Sequence, residues 1–320
     1  MTNYIIIQKR KDAIGIVQEN LLVNLGFSPI HIKWFKFMPF SHLWELIRSV
    51  SIGLNLKKED TLLSCNSKSI HTHIIPFFTK AKLVQLHYHF DNRIFGLHRL
   101  PFFSYTKLFQ QWHTLFTSNN MKNIARTKYG CRKHSVIKLG VDKTLFKRKS
   151  ELTKDDNQFI YVGSFGHRKN IENMIEGFAK AVNYDSEIKL VIVNGSAGSY
   201  AELLLLLNKY GIEHKVIYKK DVSLAQLIEL YNFSGTLLFP TLVEGFGLPL
   251  VEANLCGCKI VTSDRPVHKE VTNNQAIYVD PEDPDEIAKG IILSLETSFQ
   301  ENKETYTWQE VANNIKEILE

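Results

Sequence analysis

Between residues 159 and 279, short runs rich in β-branched and aromatic residues alternate with helical patterns. The strand-like runs are Phe159–Val162, Lys189–Val193, Val216–Tyr218, Thr236–Phe239, Lys259–Thr262 and Ala276–Val279. Helical spacing fills gaps between them over Ile171–Ala181, Tyr200–Tyr210, Leu224–Asn232 and Leu250–Leu255. Strands separated by helices cannot pair through tight turns. They form βαβ units and a parallel sheet covered on its faces. The second half of the chain is therefore expected to be an α/β, doubly wound, nucleotide-type domain, with the polar run 149–158 as its linker to the first half.

The first half reads less regularly. Tyr4–Gln8 has the composition of an opening strand, and Ala13–Leu25 has helical spacing ended by Gly26. A further helical pattern covers His42–Val50, and another closes the chain at Trp308–Leu319. The expected organisation is an N-terminal domain over 1–148, a C-terminal domain over 149–300 and a last segment, 301–320, crossing back to the first domain.

Charge divides along the same line. The net charge is +6, but residues 1–148 carry 23 Lys and Arg against 7 Asp and Glu, whereas 149–320 carry 16 against 26. A basic first half (+16) facing an acidic second half (−10) points to an anionic partner: a phospholipid surface, a diphosphate-linked substrate or nucleic acid. A basic surface serving only solubility is the alternative. Lys33, Trp34, Lys36 and Phe37 place rings beside ammonium groups, as a segment at a membrane or acceptor surface requires. A second such stretch is Phe102–Lys107 with Phe109 and Trp112, and core packing explains these aromatics equally well. Four cysteines at no metal-binding spacing fit reduced thiols. No run reaches the ~18 apolar residues of a membrane span. These features fit a cytoplasmic protein, free or held on the inner membrane face.

Two loops could carry chemistry, each following a predicted strand. The first is Gly163-Ser-Phe-Gly-His-Arg-Lys-Asn170, where glycines let backbone approach a ligand and Arg168 and Lys169 can neutralise a diphosphate. The second is Pro240-Thr-Leu-Val-Glu-Gly-Phe-Gly-Leu-Pro-Leu-Val-Glu252. Gly245 and Gly247 allow a tight turn, and Pro249 suits the first turn of a helix. The result is an anion-binding corner at a positive helix end, flanked by Glu244 and Glu252. Neither a G-x-G-x-x-G nor a G-x-x-x-x-G-K-[ST] sequence is present.

Glu244-Gly-Phe-Gly-Leu-Pro, with a second glutamate eight residues on, resembles the paired-glutamate motif of retaining GT-B glycosyltransferases of family 4. The resemblance extends over about 160 residues, through Val162–Asn170, Leu227–Tyr231, Leu238–Pro240, Cys256–Ser263 and Tyr278–Pro281, and is prefaced by Val136–Phe146. It implies a GT-B fold, two Rossmann-like domains with parallel sheets facing across a closing cleft. It further implies that Gly163, Ser164, Arg168 and Lys169 bind the donor diphosphate. Glu244 and the backbone of Phe246, Gly247 and Leu248 hold the transferred sugar and phosphate, and Glu252 binds the ribose. The catalytic group is Lys169, Glu244 and an N-terminal histidine, His87 or His89. The base is expected near Tyr218–Val222.

What the family implies functionally is retaining transfer of a hexose-type sugar from a nucleotide-diphosphate sugar to a hydroxyl of a glycan or lipid-linked glycan. No cofactor and no metal are expected, because cationic side chains take the metal's place. With the charge division this gives surface-polysaccharide assembly at an anionic membrane. A nucleic-acid-modifying transferase, a sugar-nucleotide epimerase and a non-catalytic sugar-nucleotide-binding protein are the alternatives. Three departures stand out: Ser164 where many relatives carry arginine, only Gly15 near the usual N-terminal glycine-rich loop, and a short, divergent first domain.

Overall fold

A computed structural model describes residues 2–8, 13–32, 41–65, 75–87, 109–194 and 200–320. The chain forms two compact units, residues 1–140 with 308–320, and residues 141–307.

The first unit is built on six parallel strands in the order β2-β1-β3-β4-β5-β6: β1 Asn3–Gln8, β2 Ser28–Ile32, β3 Thr61–Ser64, β4 Lys82–His87, β5 His113–Phe116 and β6 His134–Val136. Helices α1 (Ala13–Leu25), α2 (Ser41–Asn55), α3 (Asn119–Tyr129) and the final α10 (Trp308–Leu319) belong to it. Gly26 ends α1 with φ 69°, and Ser118 Oγ caps α3 by accepting from Met121 N–H at 3.2 Å. Phe109 and Trp112 are buried beside Phe116, so that pair is core, not interface. The burial reading wins because both rings sit immediately before β5, where the sheet needs filling. Lys33, Trp34, Lys36, Phe37 and the run 102–107 lie outside the described residues.

The second unit has its own six-stranded parallel sheet, ordered β12-β11-β10-β7-β8-β9. Its strands are β7 Asp155–Val162, β8 Lys189–Asn194, β9 Val216–Lys220, β10 Ser234–Phe239, β11 Lys259–Ser263 and β12 Ile277–Val279. Between them run α4 (Ile171–Tyr184), α5 (Tyr200–Tyr210), α6 (Leu224–Phe233), α7 (Leu248–Leu255), α8 (Pro266–Val271) and, after β12, α9 (Pro284–Glu296). β10 is buried along its whole length, as a central parallel strand covered on both faces should be.

The run expected as linker is partly strand. β7 begins at Asp155 because Asp155 pairs with Ser234 and Gln158 Nε2 donates to Ser234 Oγ at 3.0 Å. The polar end of a strand is invisible to a hydrophobicity pattern. Helices α8 and α9 each open on a proline, and Asp283 caps α9 through Asp285 N–H and Glu286 N–H.

Candidate active site

The second sheet grows outward from β7 in both directions: β8 and β9 lie on one side, β10 to β12 on the other. Between β7 and β10 the winding reverses, and the loops leaving their carboxyl ends must part. That crevice is where a doubly wound sheet binds ligands. The two loops singled out in the sequence are those leaving β7 and β10.

After β7 the chain is pinned before it turns. Gly163 N–H bonds to Val193 O at 3.0 Å and Tyr161 Oη donates to Ser164 O at 2.9 Å. A Cβ on Gly163 would stand 2.7 Å from that hydroxyl, so the position has room only for hydrogen. Residues 167–169 then form one 3-10 turn, closed by Lys169 N–H to Gly166 O at 2.7 Å. Asn170 follows in the left-handed region (φ 58°), and its Nδ2 donates to Pro240 O (2.9 Å) and Pro281 O (2.6 Å). One asparagine thereby fastens the loop after β7 to those after β10 and β12, aided by Leu242 N–H to Arg168 O at 2.9 Å.

The charged groups meet between these loops. Lys169 Nζ lies 2.5 Å from Glu244 Oε1 and 4.9 Å from the centre of the Phe239 ring. Arg168 Nη1 reaches the same carboxylate at 3.3 and 3.4 Å from a more exposed position. Burial alone would raise the Glu244 pKa, but Lys169 and Arg168 together hold it below the usual carboxylate range. Burial depresses that of Lys169, against the attraction of Glu244. Behind the pair, His268 on α8 is buried, its Nε2 3.0 Å from Thr241 Oγ1. Desolvation takes its pKa down to about 4, so it is a neutral imidazole at physiological pH. Ser263 Oγ donates to Thr241 O at 2.6 Å, tying the loop that carries Glu244 to β11 as well.

Helix α7 begins at this cluster. Gly247 precedes it with φ 93°, a conformation side chains rarely adopt. Pro249 brings no N–H and Leu250 N–H turns back to Gly247 O at 2.9 Å, leaving the Leu248 amide as the open donor of the first turn. Phe246, just before it, is buried. Glu252, four residues after Leu248 on the same helical face, accepts from Tyr231 Oη at 3.1 Å. Burial raises its pKa to about 7, only partly opposed by that hydrogen bond. Residues 219–222, at the end of β9, line a cavity of about 570 Å³ with Gln226 and Phe233 of α6.

Arg168, Lys169 and Glu244 are thus in direct contact, with Leu248 and Glu252 on the adjoining helix. His87 belongs to the other unit. It ends β4, fully buried, with its ring edge-on to Phe109 (5.5 Å) and Phe116 (5.7 Å); His89 lies outside the described residues. Sequence reasoning assigned no role to Asn170, Tyr161, Tyr231, Thr241 or His268. Only Asn170, a turn-forming residue after a glycine-containing loop, carried a local signal.

A doubly wound sheet with a cationic pair and a glycine-bounded helix start at its switch point is the arrangement of an anion-binding α/β domain. The model of the family "Glycosyl transferases group 1" matches residues 142–316, and the chain belongs to that family. Among its relatives is the O-antigen chain mannosyltransferase RfbU of Salmonella typhimurium, 35% identical over 173 residues, which are 53% of this chain and 47% of RfbU. O-antigen chain mannosyltransferase B of Escherichia coli is 29% identical over 155 residues, 48% of this chain and 38% of that protein. The chain spans about half the length, or less, of these relatives. The fold is that of HepE from Anabaena, crystallised with UDP and glucose, at a TM-score of 0.79 and 15% identity over 100% of this chain and 99% of HepE. Sucrose-phosphate synthase from Thermosynechococcus elongatus superposes at 0.80 with 14% identity, over 100% of this chain and 98% of that one. The fold is accordingly the GT-B fold of family-4 glycosyltransferases. No helix among the described residues is long and apolar enough to cross a membrane.

Proposed function

We propose that this chain transfers a hexose, with mannose the preferred sugar, from a nucleotide-diphosphate donor to a hydroxyl of a glycan or lipid-linked glycan in surface-polysaccharide synthesis. The observation that carries this reading is the Lys169–Glu244–Arg168 cluster at the β7/β10 crevice. Two cations and one carboxylate leave a net positive charge where a diphosphate would lie, supplemented by the start of α7. The mannosyltransferase relatives support the choice of sugar and of polysaccharide.

The proposed reaction retains configuration. As the bond from the anomeric carbon to the diphosphate oxygen breaks, negative charge collects on that oxygen, and Lys169, Arg168 and the Leu248 amide stabilise it. The acceptor oxygen bonds to the anomeric carbon on the same face, and its proton passes to the departing phosphate. Glu244 orients Lys169 and accepts from sugar hydroxyls; Glu252 accepts from the ribose, and the base lies against residues 218–222. His87, fully buried against Phe109 and Phe116, is proposed as a positioning residue beneath the acceptor side and not as a group that touches the acceptor. Turnover without metal follows from this charge arrangement. The reading also places the first unit against an anionic membrane at the cytoplasmic face, through Lys33, Trp34, Lys36 and Phe37.

Calorimetric titration with a panel of nucleotide-sugars tests it, followed by proton NMR of the product. Binding of a nucleotide-diphosphomannose and an anomeric configuration equal to the donor's are expected, with chelator present. An inverted product overturns the mechanism, and binding of no nucleotide-sugar overturns the function.

A further inference from the structure

Because every strand of the first unit's sheet is parallel, the segments entering β3 and β4 lie at one end of it. Residues 53–60 and 75–81 build a single surface there. α2 packs on the 75–78 turn at Gly53, where an added Cβ would stand 2.7 Å from Phe78 Cβ and 3.1 Å from Ile75 O. Thr79 Oγ1 donates to Leu56 O at 3.5 Å, and Lys82 N–H donates to Asp60 O at 2.9 Å. The Asp60 carboxylate is turned inward, accepting from Thr2 N–H and Lys57 N–H, both at 2.9 Å.

What faces outward is of two kinds. Leu54, Phe77 and Phe78 are 67%, 53% and 39% exposed, and around them stand the exposed Lys57, Lys58 and Lys80, with Glu59 the one exposed acid of the two segments. Every ion pair among the described residues lies in the second unit.

We infer that this end of the sheet, Leu54, Phe77 and Phe78 ringed by Lys57, Lys58 and Lys80, docks on an anionic phospholipid bilayer. Only such a surface uses both kinds of group: the apolar side chains enter the acyl boundary while the ammonium groups sit among the phosphates. A nucleic acid backbone would take the lysines but leave Leu54 in water. A second copy packed face to face would bring each lysine set against its own image. The inference rests on the membrane-side reading above only in taking a bilayer to be within reach. Its surface lies at the amino ends of the strands, whereas Lys33 follows the carboxyl end of β2 in sequence, so it replaces residues 33–37 as the docking surface.

Sedimentation of the full chain with phosphatidylcholine vesicles, with and without phosphatidylglycerol, is the test. The expected result is binding to the mixed vesicles only, weakened by salt. Replacing Lys57, Lys58 and Lys80 by glutamine lowers it by about fivefold per lysine, on the order of a hundredfold together. Phe77→Ser with Phe78→Ser lowers it about tenfold or more. Both variants keep the wild-type circular dichroism spectrum and the unfolding transition of the first unit, which shows that unit folded. Since all four native cysteines are buried, a polarity-sensitive dye on Leu54→Cys reports the surface directly, and its emission shifts to the blue on mixed vesicles. Variants that bind like wild type, or a dye that does not shift, overturn this inference alone. Wild type that binds no vesicle overturns it together with the membrane-side reading, leaving sugar transfer untouched. Capture by duplex DNA in place of vesicles also overturns it.

Discussion

Lys169 and Glu244 are buried at 2.5 Å from each other, and such a pair stabilises a fold little once desolvation is counted. On the proposed function its worth lies in keeping a cation ready for an anion. Lys169→Ala should lower turnover at least tenfold, about 1.4 kcal/mol of barrier, and cost about 3 kcal/mol of stability by leaving Glu244 without its nearest cation. Lys169→Met combined with Glu244→Gln should recover stability but not turnover; kcat and the urea midpoint of each variant decide. Glu252 supplies a second test, through pH. Its pKa in the fold is about 7 against an ordinary 4.5, so the native state holds a proton that the unfolded chain has lost between those values. Stability therefore falls as pH rises from about 4.5 to 7 and is flat above, a loss of at most about 3 kcal/mol. Glu252→Gln should melt higher than wild type at pH 8 and level with it near pH 4.5. If Glu252 accepts from ribose hydroxyls, the charged form is the binding form. Wild-type affinity for the donor nucleotide then rises from pH 6 to 8 and that of Glu252→Gln does not; calorimetry at several pH values measures both.

At the level of elements, the active geometry is a matter of how three loops are fastened, and Asn170 is the fastener. Asn170→Ala and Asn170→Gly both lose the bonds to Pro240 O and Pro281 O, and both should lower kcat/KM about tenfold through misplacement of Arg168 and Lys169. They should differ in stability. Alanine is strained at φ 58° and glycine is not, so the glycine variant should be about 1 kcal/mol the more stable by urea unfolding. The loop from Gly163 to Asn170 and the turn from Glu244 to Glu252 were legible in the sequence because their chemistry is local. Tyr231 and His268 were not, since they reach Glu252 and Thr241 across 21 and 27 residues and nothing in a helical pattern marks a hydroxyl or imidazole for that purpose. The strands of the second sheet fell where apolar runs stand, and polar ends such as Asp155–Gln158 were missed. In the first unit Phe109 and Trp112 could be read as core or as interface, because both uses ask for the same side chains.

Taken as a whole, the molecule is discontinuous in one unit and continuous in the other. The second unit, residues 141–307, is one segment holding Arg168, Lys169, Glu244 and Glu252, with 18 Lys and Arg against 24 Asp and Glu. The first unit has 21 against 9 and needs the last thirteen residues of the chain to be complete. α10 contributes buried Trp308, Val311, Ala312 and Ile315 to it, and Gly140 is so close to Trp308 that a Cβ would stand 2.7 Å from its backbone nitrogen. Ending the chain after Thr307 should therefore cost the first unit about 5 kcal/mol. The second unit keeps its own closing contacts, Val141 N–H to Tyr306 O at 2.8 Å and Lys143 Nζ to Thr305 O at 2.7 Å. Differential scanning calorimetry should show one transition lowered by the truncation and another unchanged. The unchanged one should be stabilised by about 2.7 kcal/mol at a hundredfold excess of donor nucleotide over its Kd, in the whole and the shortened chain alike. A single transition that moves with both the truncation and the nucleotide would mean that the two units unfold as one.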